Sequence, residues 1–441
     1  MQCFMEFNNY IIEYIVINLY TVIKFCKIIL VQYKNNIIFG KPNITHKEIS
    51  GLVRVAKSNW IGTGIESLKF ENRFSIYKEA RYAKSLNSCT AALHLSLKTL
   101  KPKNNDEVIT TPFTFAATIN SIILAGCKPV LVDVRKDTFN IDENLIEKKI
   151  TKKTIAILVV HYAGIPCDMN PILKIAKKYN LKIIEDCAHA IETKYNGKHA
   201  GTFGYAGCFS FYVNKNITTG EGGMLICKNR NLAEKIQILR LHGMSRDAWK
   251  RYMPQKKNDS KKWKHYDILD AGLKYNMIDI NAAIGLAQLK KVNIMWKERK
   301  KISETYRKQL NELPLIFQDT KKYKFKHAYH LFPIVIDKTK TKLKRDDLLF
   351  YLKDHSIGAG VNYRSATDMK YYKKKYKWNS KTCKISDYVG KNVICLPLYP
   401  GLKRYEQKKV INVLVNFFKK NLNNEFRLHH ISKDQFFKVK K

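Results

Sequence analysis

The chain has 441 residues, 45% of them apolar, which is enough for a large core and two domains and excludes a disordered protein. Its formal net charge is +43, from 80 basic and 37 acidic residues. A charge of this size favours an anionic partner, such as a nucleic acid, a membrane surface or a phosphorylated substrate. The cations are mostly lysines scattered along the whole chain, without an arginine-rich arm or a known nucleic-acid motif, so biased base composition explains them better. We expect no nucleic-acid partner.

Residues 1–35 form an apolar extension of unknown role. The run from Ile11 to Gln32 is about long enough to cross a bilayer, but Glu13, Lys24 and Lys27 make that crossing costly. A small-residue cleavage site does not follow, which disfavours a signal peptide. An amphipathic surface helix and translation from an upstream start both stay open. We expect a non-catalytic extension and leave its membrane association undecided.

The ten cysteines indicate a reducing compartment and no metal site. They form no CxxC pair and no Cys/His cluster at zinc spacing. We therefore expect no metal and a cytoplasmic location. The cysteines that lie inside apolar or motif segments, as reduced thiols do, are Cys89, Cys187, Cys208, Cys227 and Cys395.

After residue 35, short runs rich in Ile and Val alternate with helical segments or turns. This spacing predicts an α/β fold with a mainly parallel sheet covered on both faces. Ligands of such sheets bind beyond the carboxyl ends of the strands. The first four predicted strands are Glu107–Thr110, Pro129–Asp133, Ile155–Val160 and Leu181–Asp186. Two more, Phe209–Phe211 and Met224–Cys227, flank a glycine-rich turn.

A long helix from Asp279 to about Leu310 is followed by a region in which the pattern of predicted strands and helices changes. We predict a large domain over residues 36–295 and a smaller C-terminal α+β domain over residues 296–420. Residues 421–441 form a polar, basic tail that we expect to fray. The elements predicted for the smaller domain are a strand near Tyr329–Ile336, a helix near Arg345–Asp354, a strand near Val393–Leu396 and a helix near Gln407–Phe418.

Lys215 lies in the segment with the highest density of residues that could have a chemical role. This segment, SFYVNKNITTGEGG, runs from Ser210 to Gly223. A lysine between a strand end and a glycine-rich turn can be held rigidly at the floor of a site. An amine nucleophile needs that rigidity and a partly suppressed charge. A lysine beside glycines is usually only a turn residue, so its neighbours decide between the two interpretations.

Asp186 closes an apolar strand in the segment IEDCAHA, so its carboxylate is expected to project into the cleft. A carboxylate there can pair with a protonated pyridine nitrogen, which makes the ring an electron sink. His189, three residues further on, can reach the same ligand. The alternatives are a helix cap for Asp186 and a hydrogen-bonded core position for His189.

Two upstream segments can bind other parts of a cofactor. The segment NSCTAA, from Asn87 to Ala92, opens an amphipathic helix, whose hydroxyls and free N–H groups favour a phosphate. The segment FTF, from Phe113 to Phe115, follows a strand and a proline, and an aromatic there can lie flat on a cofactor ring. An ordinary helix cap and plain core phenylalanines are the alternatives.

Ten motifs in order carry a resemblance to a known family over about residues 36 to 420. Any one of them is weak, but the series resembles the nucleotide-sugar aminotransferases of the DegT–StrS type. In chain order the motifs are FGKP (39–42), NWIGTG (59–64), SCTAALHL (88–95), PFTFAAT (112–118), DCAHA (186–190), the Lys215 turn, LHGMSR (241–246), YNMIDI (275–280), HAYH (327–330) and LPLYP (396–400).

The resemblance implies a homodimer with the aspartate aminotransferase fold, pyridoxal 5'-phosphate as cofactor, and sites at the subunit interface. It implies that Lys215 holds the cofactor covalently, that Asp186 pairs with the pyridine nitrogen and that His189 approaches the ring hydroxyl. It also implies that Phe115 stacks on the ring. The residues implied to hold the phosphate are Thr90, Ala91 and Ser210.

The chain departs from the family pattern at two places. The usual Gly-x-Asn-Tyr-Arg segment, which contacts the phosphate of the other subunit, reads GLKYN here, so either Lys274 or Asn276 makes that contact. Asn362 stands where many relatives carry His, on the side of the sugar nucleotide. We count His327 and Asn362 among the expected substrate contacts.

A nucleotide diphosphate needs cations, and the segment SRDAWKR supplies Arg246, Lys250 and Arg251. The alternative for these three is a solvated loop. The predicted activity is transamination of a nucleotide-linked keto sugar, with an amino acid donor that the resemblance suggests is L-glutamate. One rival is a sugar dehydratase, whose relatives replace the lysine by His. The other is an inactive regulatory or nucleic-acid-binding relative, supported only by the charge.

Overall fold

The computed structural model describes residues 36–245, 265–319 and 323–421. The apolar extension of residues 1–35, the tail beyond residue 421, and Arg246, Lys250 and Arg251 lie outside the described residues. Within the described ranges, no helix combines the length and the apolar character needed to cross a bilayer. The eight cysteines in these ranges are buried thiols without a disulfide among them.

From residue 82 to residue 186 the described chain alternates strands and helices, as expected, and four further strands then follow without a helix before the one that begins at Arg230. The strands are β1 (Tyr82–Leu86), β2 (Glu107–Thr110), β3 (Lys128–Leu131), β4 (Thr154–Val160), β5 (Lys182–Asp186), β6 (Lys194–Tyr195), β7 (Lys198–His199), β8 (Ala206–Ser210), β9 (Gly223–Cys227), β10 (Leu315–Phe317), β11 (Phe325–Lys326), β12 (Phe332–Ile336) and β13 (Val393–Leu396).

Twelve α-helices accompany these strands in the described ranges, three of them between β3 and the long helix. They are α1 (His46–Lys57), α2 (Ile65–Lys78), α3 (Cys89–Lys98), α4 (Ala116–Leu124), α5 (Glu143–Ile146), α6 (Met169–Lys178), α7 (Arg230–Leu239), α8 (Asp279–Leu310), α9 (Arg345–Asp354), α10 (Lys370–Tyr376), α11 (Lys384–Asn392) and α12 (Arg404–Asn421).

The main sheet has seven strands in the order β1-β9-β8-β5-β4-β2-β3. Four neighbouring pairs are parallel, and β9 runs antiparallel to both of its neighbours, so six strands share one direction. Their carboxyl ends therefore meet at one edge, where Asp186 ends β5 and Ser210 ends β8. Because β9 is reversed, its first residue, Gly223, lies at the same edge, opposite Leu86 and Ser210.

Helices cover both faces of this sheet, which confirms the predicted mainly parallel, doubly covered architecture. Successive residues point to opposite faces: Leu158 packs with the α3 and α7 layer, whereas Ile157 packs with the α6 layer. Further along the α6 side, Phe209 and Phe211 pack against Phe70 of α2 and the start of α8. The chemistry at the carboxyl edge is thus mounted on a rigid, buried scaffold.

A second, smaller core surrounds the antiparallel sheet β10-β12-β13. The carboxyl half of α8 contributes Ile302, Tyr306 and Leu310 to it, so this helix serves both cores. Ile37, at the start of the described chain, also packs there and pairs with Ile357. The second core is therefore assembled from segments far apart in the sequence.

The strand predicted near Tyr329–Ile336 begins only at Phe332. Tyr329 has a positive φ of 51°, which interrupts an extended strand. The N–H groups of Ala328 and His330 bond instead to the carbonyls of Gly164 and Ala163 in the larger unit. The segment is therefore tied to the larger unit rather than extending the small sheet, and His330 reaches the cavity at the carboxyl edge of the main sheet.

Asp279 joins the starts of two helices. Its carboxylate, in the first turn of α8, accepts hydrogen bonds from the N–H groups of Gly64, Glu66 and Ser67 and from the Ser67 hydroxyl, at 2.7–3.1 Å. It is 3% exposed. This carboxylate therefore satisfies the orphan N–H groups of the first turn of α2.

We expect Asp279→Ala to lower the free energy of unfolding by about 3 kcal/mol, because it leaves several buried N–H groups without an acceptor. Urea denaturation at unchanged slope measures this. The matched control is Asp346→Ala, which removes an exposed carboxylate paired with Arg345 and should cost less than about 1 kcal/mol. Equal losses in the two variants would contradict the capping role of Asp279.

Candidate active site

A cavity of about 500 Å³ opens at the carboxyl edge of the main sheet. Of the residues predicted from the sequence, six line this cavity: Thr90, Phe115, Asp186, Ser210, Lys215 and Asn362. Ala91 lies one residue further into α3, and His189 contacts Tyr363, which is part of the cavity wall. Strand ends and helix starts that are distant in sequence are thus brought together around one space.

Lys215 follows β8 in a turn that its own N–H closes by bonding to the Tyr212 carbonyl at 3.0 Å. Burial lowers the pKa of its ammonium to about 8, against the opposing pull of the Asp186 carboxylate and the Cys89 thiol. At neutral pH roughly a tenth of this amine is uncharged, compared with far less than a hundredth of an exposed lysine. The half-buried Lys215 is therefore a prepared nucleophile.

Asp186 accepts hydrogen bonds at both of its carboxylate oxygens. The Thr118 hydroxyl donates to Oδ2 at 2.8 Å, and the Ala188 N–H donates to Oδ1 at 3.0 Å. Burial raises the pKa of this carboxyl, and the two hydrogen bonds and the charge of Lys215 oppose the rise. A cation brought near this carboxylate relieves the cost of burying it.

His189 lies beside Asp186 as an uncharged imidazole. Its Nδ1 accepts from the Ala163 N–H at 3.2 Å, so the hydrogen is on Nε2, which donates to the Tyr363 hydroxyl at 2.9 Å. Burial lowers the pKa of His189 well below the usual range, and the charge of Lys215 lowers it further. The ring stacks nearly parallel to Tyr363, with 15° between the planes.

A third part of the cavity lining suits a phosphate. The start of α3 presents Ser88 and Thr90 to the cavity together with Ser210, and the first N–H groups of a helix attract anions. The Ala91 N–H is already bonded to the Ser88 hydroxyl, which caps the helix. Of the three predicted phosphate contacts, Thr90 and Ser210 thus expose hydroxyls to the cavity, whereas Ala91 contributes to the local helix cap.

Gly223 allows this edge to close. A Cβ atom built on it would lie 2.3–2.6 Å from backbone atoms of Ser88 and Cys89, which is closer than real contacts permit. Only glycine therefore lets β9 pass against the start of α3. The approach builds the hydroxyl-lined cradle that a phosphate group needs.

Phe115 lies at the mouth of the cavity as the residue before α4. Its ring is 60% exposed and lies 5.8 Å from the ring of Tyr363, centroid to centroid. Two aromatic side chains thus border the space between Lys215 and Asp186. This position fits an aromatic that covers one face of a flat ring.

Three other predicted residues lie elsewhere in this chain. His327 lines a separate cavity of about 470 Å³ with Arg307, and its Nδ1 accepts from the Tyr329 N–H. Asn276 donates to the Thr63 hydroxyl at 2.5 Å, and Lys274 is exposed. Neither Lys274 nor Asn276 lines the cavity described above.

Sequence reasoning missed several residues that shape the site. Thr118 fixes Asp186, while Tyr363 and His330 line the cavity. Thr118 and His330 each lie within a motif noted in the sequence, and Tyr363 directly follows Asn362, but only the folded chain brings the three together. The sequence signal that could have identified such residues is a polar residue without an assigned role inside a motif that otherwise matches the family.

The cavity presents an amine at one position, a buried carboxylate at another and a hydroxyl-lined helix start at a third. Pyridoxal phosphate has three matching features: an aldehyde, a pyridine nitrogen and a phosphate. The fold and the site together define the class of pyridoxal-phosphate-dependent enzymes.

Comparison with known proteins agrees with that class. Residues 42–415 match the model of the DegT/DnrJ/EryC1/StrS aminotransferase family. The chain belongs to this family and is a pyridoxal-phosphate-dependent aminotransferase. It is 45% identical over 381 residues to the uncharacterised protein MJ1066 of Methanocaldococcus jannaschii, covering 86% of this chain and 97% of that protein.

Two further relatives carry descriptions of their roles. The chain is 36% identical to the spore coat polysaccharide biosynthesis protein SpsC of Bacillus subtilis, over 88% of this chain and 99% of SpsC. Spr1654 of Streptococcus pneumoniae, described as a sugar aminotransferase, aligns in its PMP form with a TM-score of 0.80 and 30% identity, over 88% of this chain and 99% of Spr1654. The same protein has also been solved in its PLP form.

We expect Gly223→Ala to weaken the binding of pyridoxal phosphate at least about tenfold, because the added methyl pushes β9 away from the start of α3. Absorbance titration of the apoprotein measures this affinity. Gly62→Ala is the matched control, because its Cβ would meet nothing within 4 Å. Unchanged affinity in Gly223→Ala would show that this approach does not build the phosphate cradle.

Proposed function

We propose that this protein transfers the amino group of an amino acid, L-glutamate, to the keto carbon of a nucleotide-linked sugar. The observation that carries this proposal is the cavity in which the Lys215 amine and the Asp186 carboxylate meet beside a phosphate-sized cradle. The roles described for SpsC and Spr1654 support a sugar as the acceptor.

Bound pyridoxal phosphate supplies an aldehyde that takes up the amino group and a ring that withdraws electrons from the reacting carbon. Lys215 holds the cofactor through its Nζ atom and, once released, moves a proton between the two carbons that exchange the amino group. Asp186 holds the positive charge on the pyridine nitrogen, and Thr118 keeps its carboxylate in place. Phe115 covers one face of the ring.

His189 orients rather than ionises in this scheme. Because its Nε2–H is directed to the Tyr363 hydroxyl, it fixes that hydroxyl at the cavity wall, where the pair would help to hold a bound ring in place. Asn362 faces the same cavity and is a proposed sugar contact. His327 lines another cavity, and Arg246, Lys250 and Arg251 lie outside the described residues, so these four stay predictions as substrate contacts.

Two rival functions explain the site less well. A sugar dehydratase of this scaffold carries His at the position of Lys215, whereas this chain keeps an amine with a lowered pKa. An inactive regulator has no need for a buried Asp186 with fixed donors. The high positive charge remains its only support.

We propose a homodimer in the cytoplasm, with Lys274 of each subunit reaching the cofactor phosphate of the other. Lys274 is exposed, and its contact with Asn87 uses the backbone carbonyl, which accepts from the Asn87 side chain, and does not involve the ammonium. Asn276 is tied to Thr63 of its own chain. The sequence left Lys274 and Asn276 as candidates for the cross-subunit contact, and Lys274 is the one whose charged side chain is available to a neighbouring subunit.

We expect wild-type protein purified with its cofactor to be yellow and to lose that absorbance when glutamate is added. Lys215→Ala should abolish the covalently held yellow species, because no amine then reaches the aldehyde. Lys182→Ala removes an exposed lysine at the opposite end of β5 and should behave as wild type. Covalent attachment that survives in Lys215→Ala would overturn the assigned role of this residue.

The acceptor is tested by incubating the glutamate-treated enzyme with a panel of keto sugar nucleotides and measuring the product mass. Replacement of the keto oxygen by an amine, with return of the yellow form, is expected for at least one member. If glutamate reacts but only keto acids without a nucleotide restore the yellow form, the sugar acceptor is wrong while the aminotransferase chemistry stands.

The cross-subunit contact is tested by mixing two variants with impaired activity, Lys215→Ala and Lys274→Ala. If Lys274 serves the neighbouring site, a mixed dimer contains one site with both defects and one intact site. About half of the dimers are mixed after re-annealing, so mixing restores up to about a quarter of the wild-type activity. If Lys274 serves its own site, mixing restores nothing. The control is a mixture of Lys215→Ala with Asn276→Ala, in which we expect mixing to restore no activity.

A further inference from the structure

His330 lies within hydrogen-bonding distance of the Lys215 amine, with its Nε2 3.5 Å from Nζ. It is 4% exposed. Its backbone N–H bonds to the Ala163 carbonyl, and the preceding Tyr329 has the positive φ that turns the chain into the site. The ring is thus held firmly against Lys215, although the sequence motif HAYH assigned it no role.

The tautomer of His330 follows from its second contact. Its Nδ1 lies 2.9 Å from Oδ1 of Asn216. The amide orientation of Asn216 is fixed, because its Nδ2 donates to Glu192 Oε2 at 2.7 Å and to the Ala328 carbonyl at 2.8 Å. Since Oδ1 can only accept, Nδ1 of His330 carries the hydrogen. The lone pair of Nε2 is therefore directed at Lys215.

The surroundings keep this ring uncharged. Burial lowers the pKa of His330 well below the usual range, and the neighbouring His189, Lys215 and Arg299 lower it further. A proton on Nε2 would point directly at the Lys215 amine. The groups that face Lys215 itself are the Asp186 carboxylate, the Cys89 thiol and the imidazoles of His189 and His330.

Glu192 is the last residue in the series of contacts that runs from Lys215 through His330 and Asn216. It is fully buried, and burial raises its pKa to about 7 against the opposing charge of Arg299. Neither its Oε1 nor the Nε of Arg299 has a hydrogen-bond partner among the described residues. The carboxylate is therefore committed to Asn216, which directly follows Lys215 in the chain. The orientation of the His330 ring is thus coupled to the turn that carries the amine.

We infer that His330 is a positioning residue of the transamination site: its unprotonated Nε2 accepts a hydrogen from Lys215 Nζ, and this bond aims the lone pair of the neutral amine at the reacting carbons. The inference rests on the proposed attachment of the cofactor to Lys215. When Lys215 is released, it needs one fixed direction for proton transfer, and one N–H···N bond from a rigid ring supplies it. Glu192 and Asn216 act through His330 by fixing its tautomer.

The test uses two replacements of similar size. His330→Leu removes the acceptor, whereas His330→Gln keeps an amide oxygen within reach of Nζ. The apoprotein is treated with pyridoxal phosphate across a pH series, trapped briefly with borohydride, and the labelled fraction at Lys215 is measured by peptide mass spectrometry. His355→Leu, at the end of α9 away from the cavity, is the control for losing a histidine.

We expect the midpoint of Lys215 labelling to fall by roughly half a unit to one unit in His330→Leu, because the charged amine loses an acceptor and gains an apolar neighbour. His330→Gln and His355→Leu should keep the wild-type midpoint. In the full reaction, His330→Leu should lower kcat about tenfold or more with little change in the KM for glutamate, and His330→Gln should restore most of it. A melting temperature of each variant confirms that it is folded.

A labelling midpoint that rises in His330→Leu would overturn the inference, because it would mean that His330 is a cation repelling Lys215. An unchanged midpoint together with an unchanged kcat would also overturn it. In both cases labelling at Lys215 itself would still support the proposed function. Absence of label at Lys215 in wild-type protein would instead refute the attachment role on which the inference rests.

Discussion

The burial of an amine and a carboxylate around one cavity is the constraint on which the rest of the site depends. Burial penalises the charged form of each group, so it lowers the pKa of Lys215 and raises that of Asp186, while each charge partly relieves the other. Without Asp186 the amine would be still harder to protonate, and without burial it would be an ordinary surface lysine. The surrounding donors and rings keep both groups in place while leaving the cavity open between them.

The reversal of one strand makes this arrangement possible. In a sheet of parallel strands, only carboxyl ends meet at the ligand edge, but β9 starts there and brings a glycine-rich turn back along the cavity. That turn carries Lys215 at its beginning and Gly223 at its end. The chain can thus place a nucleophile and a close backbone approach within one short segment.

Much of the fold was predictable because its strands are short, apolar and regularly spaced. The limits of α8, α9 and β13 agree with the sequence, and Asp186, Lys215 and Thr90 were recognisable from their positions at element ends. The strand expected from Tyr329 was wrong in its first part, because tertiary hydrogen bonds override local strand propensity there. The partnership of His330 with Asn216 and Glu192 spans more than a hundred residues, and no local pattern signals it.

The membership of Ile37 in the second core has a consequence for biosynthesis. Its partners in that core, such as Tyr306 and Ile357, emerge from the ribosome some 270 residues or more after it. The larger unit, whose strands are contiguous in the chain, can fold while this early segment still waits for its partners. The smaller unit is therefore the last to close during synthesis, and a fragment that ends within α8 would leave the apolar side chain of Ile37 without its native neighbours.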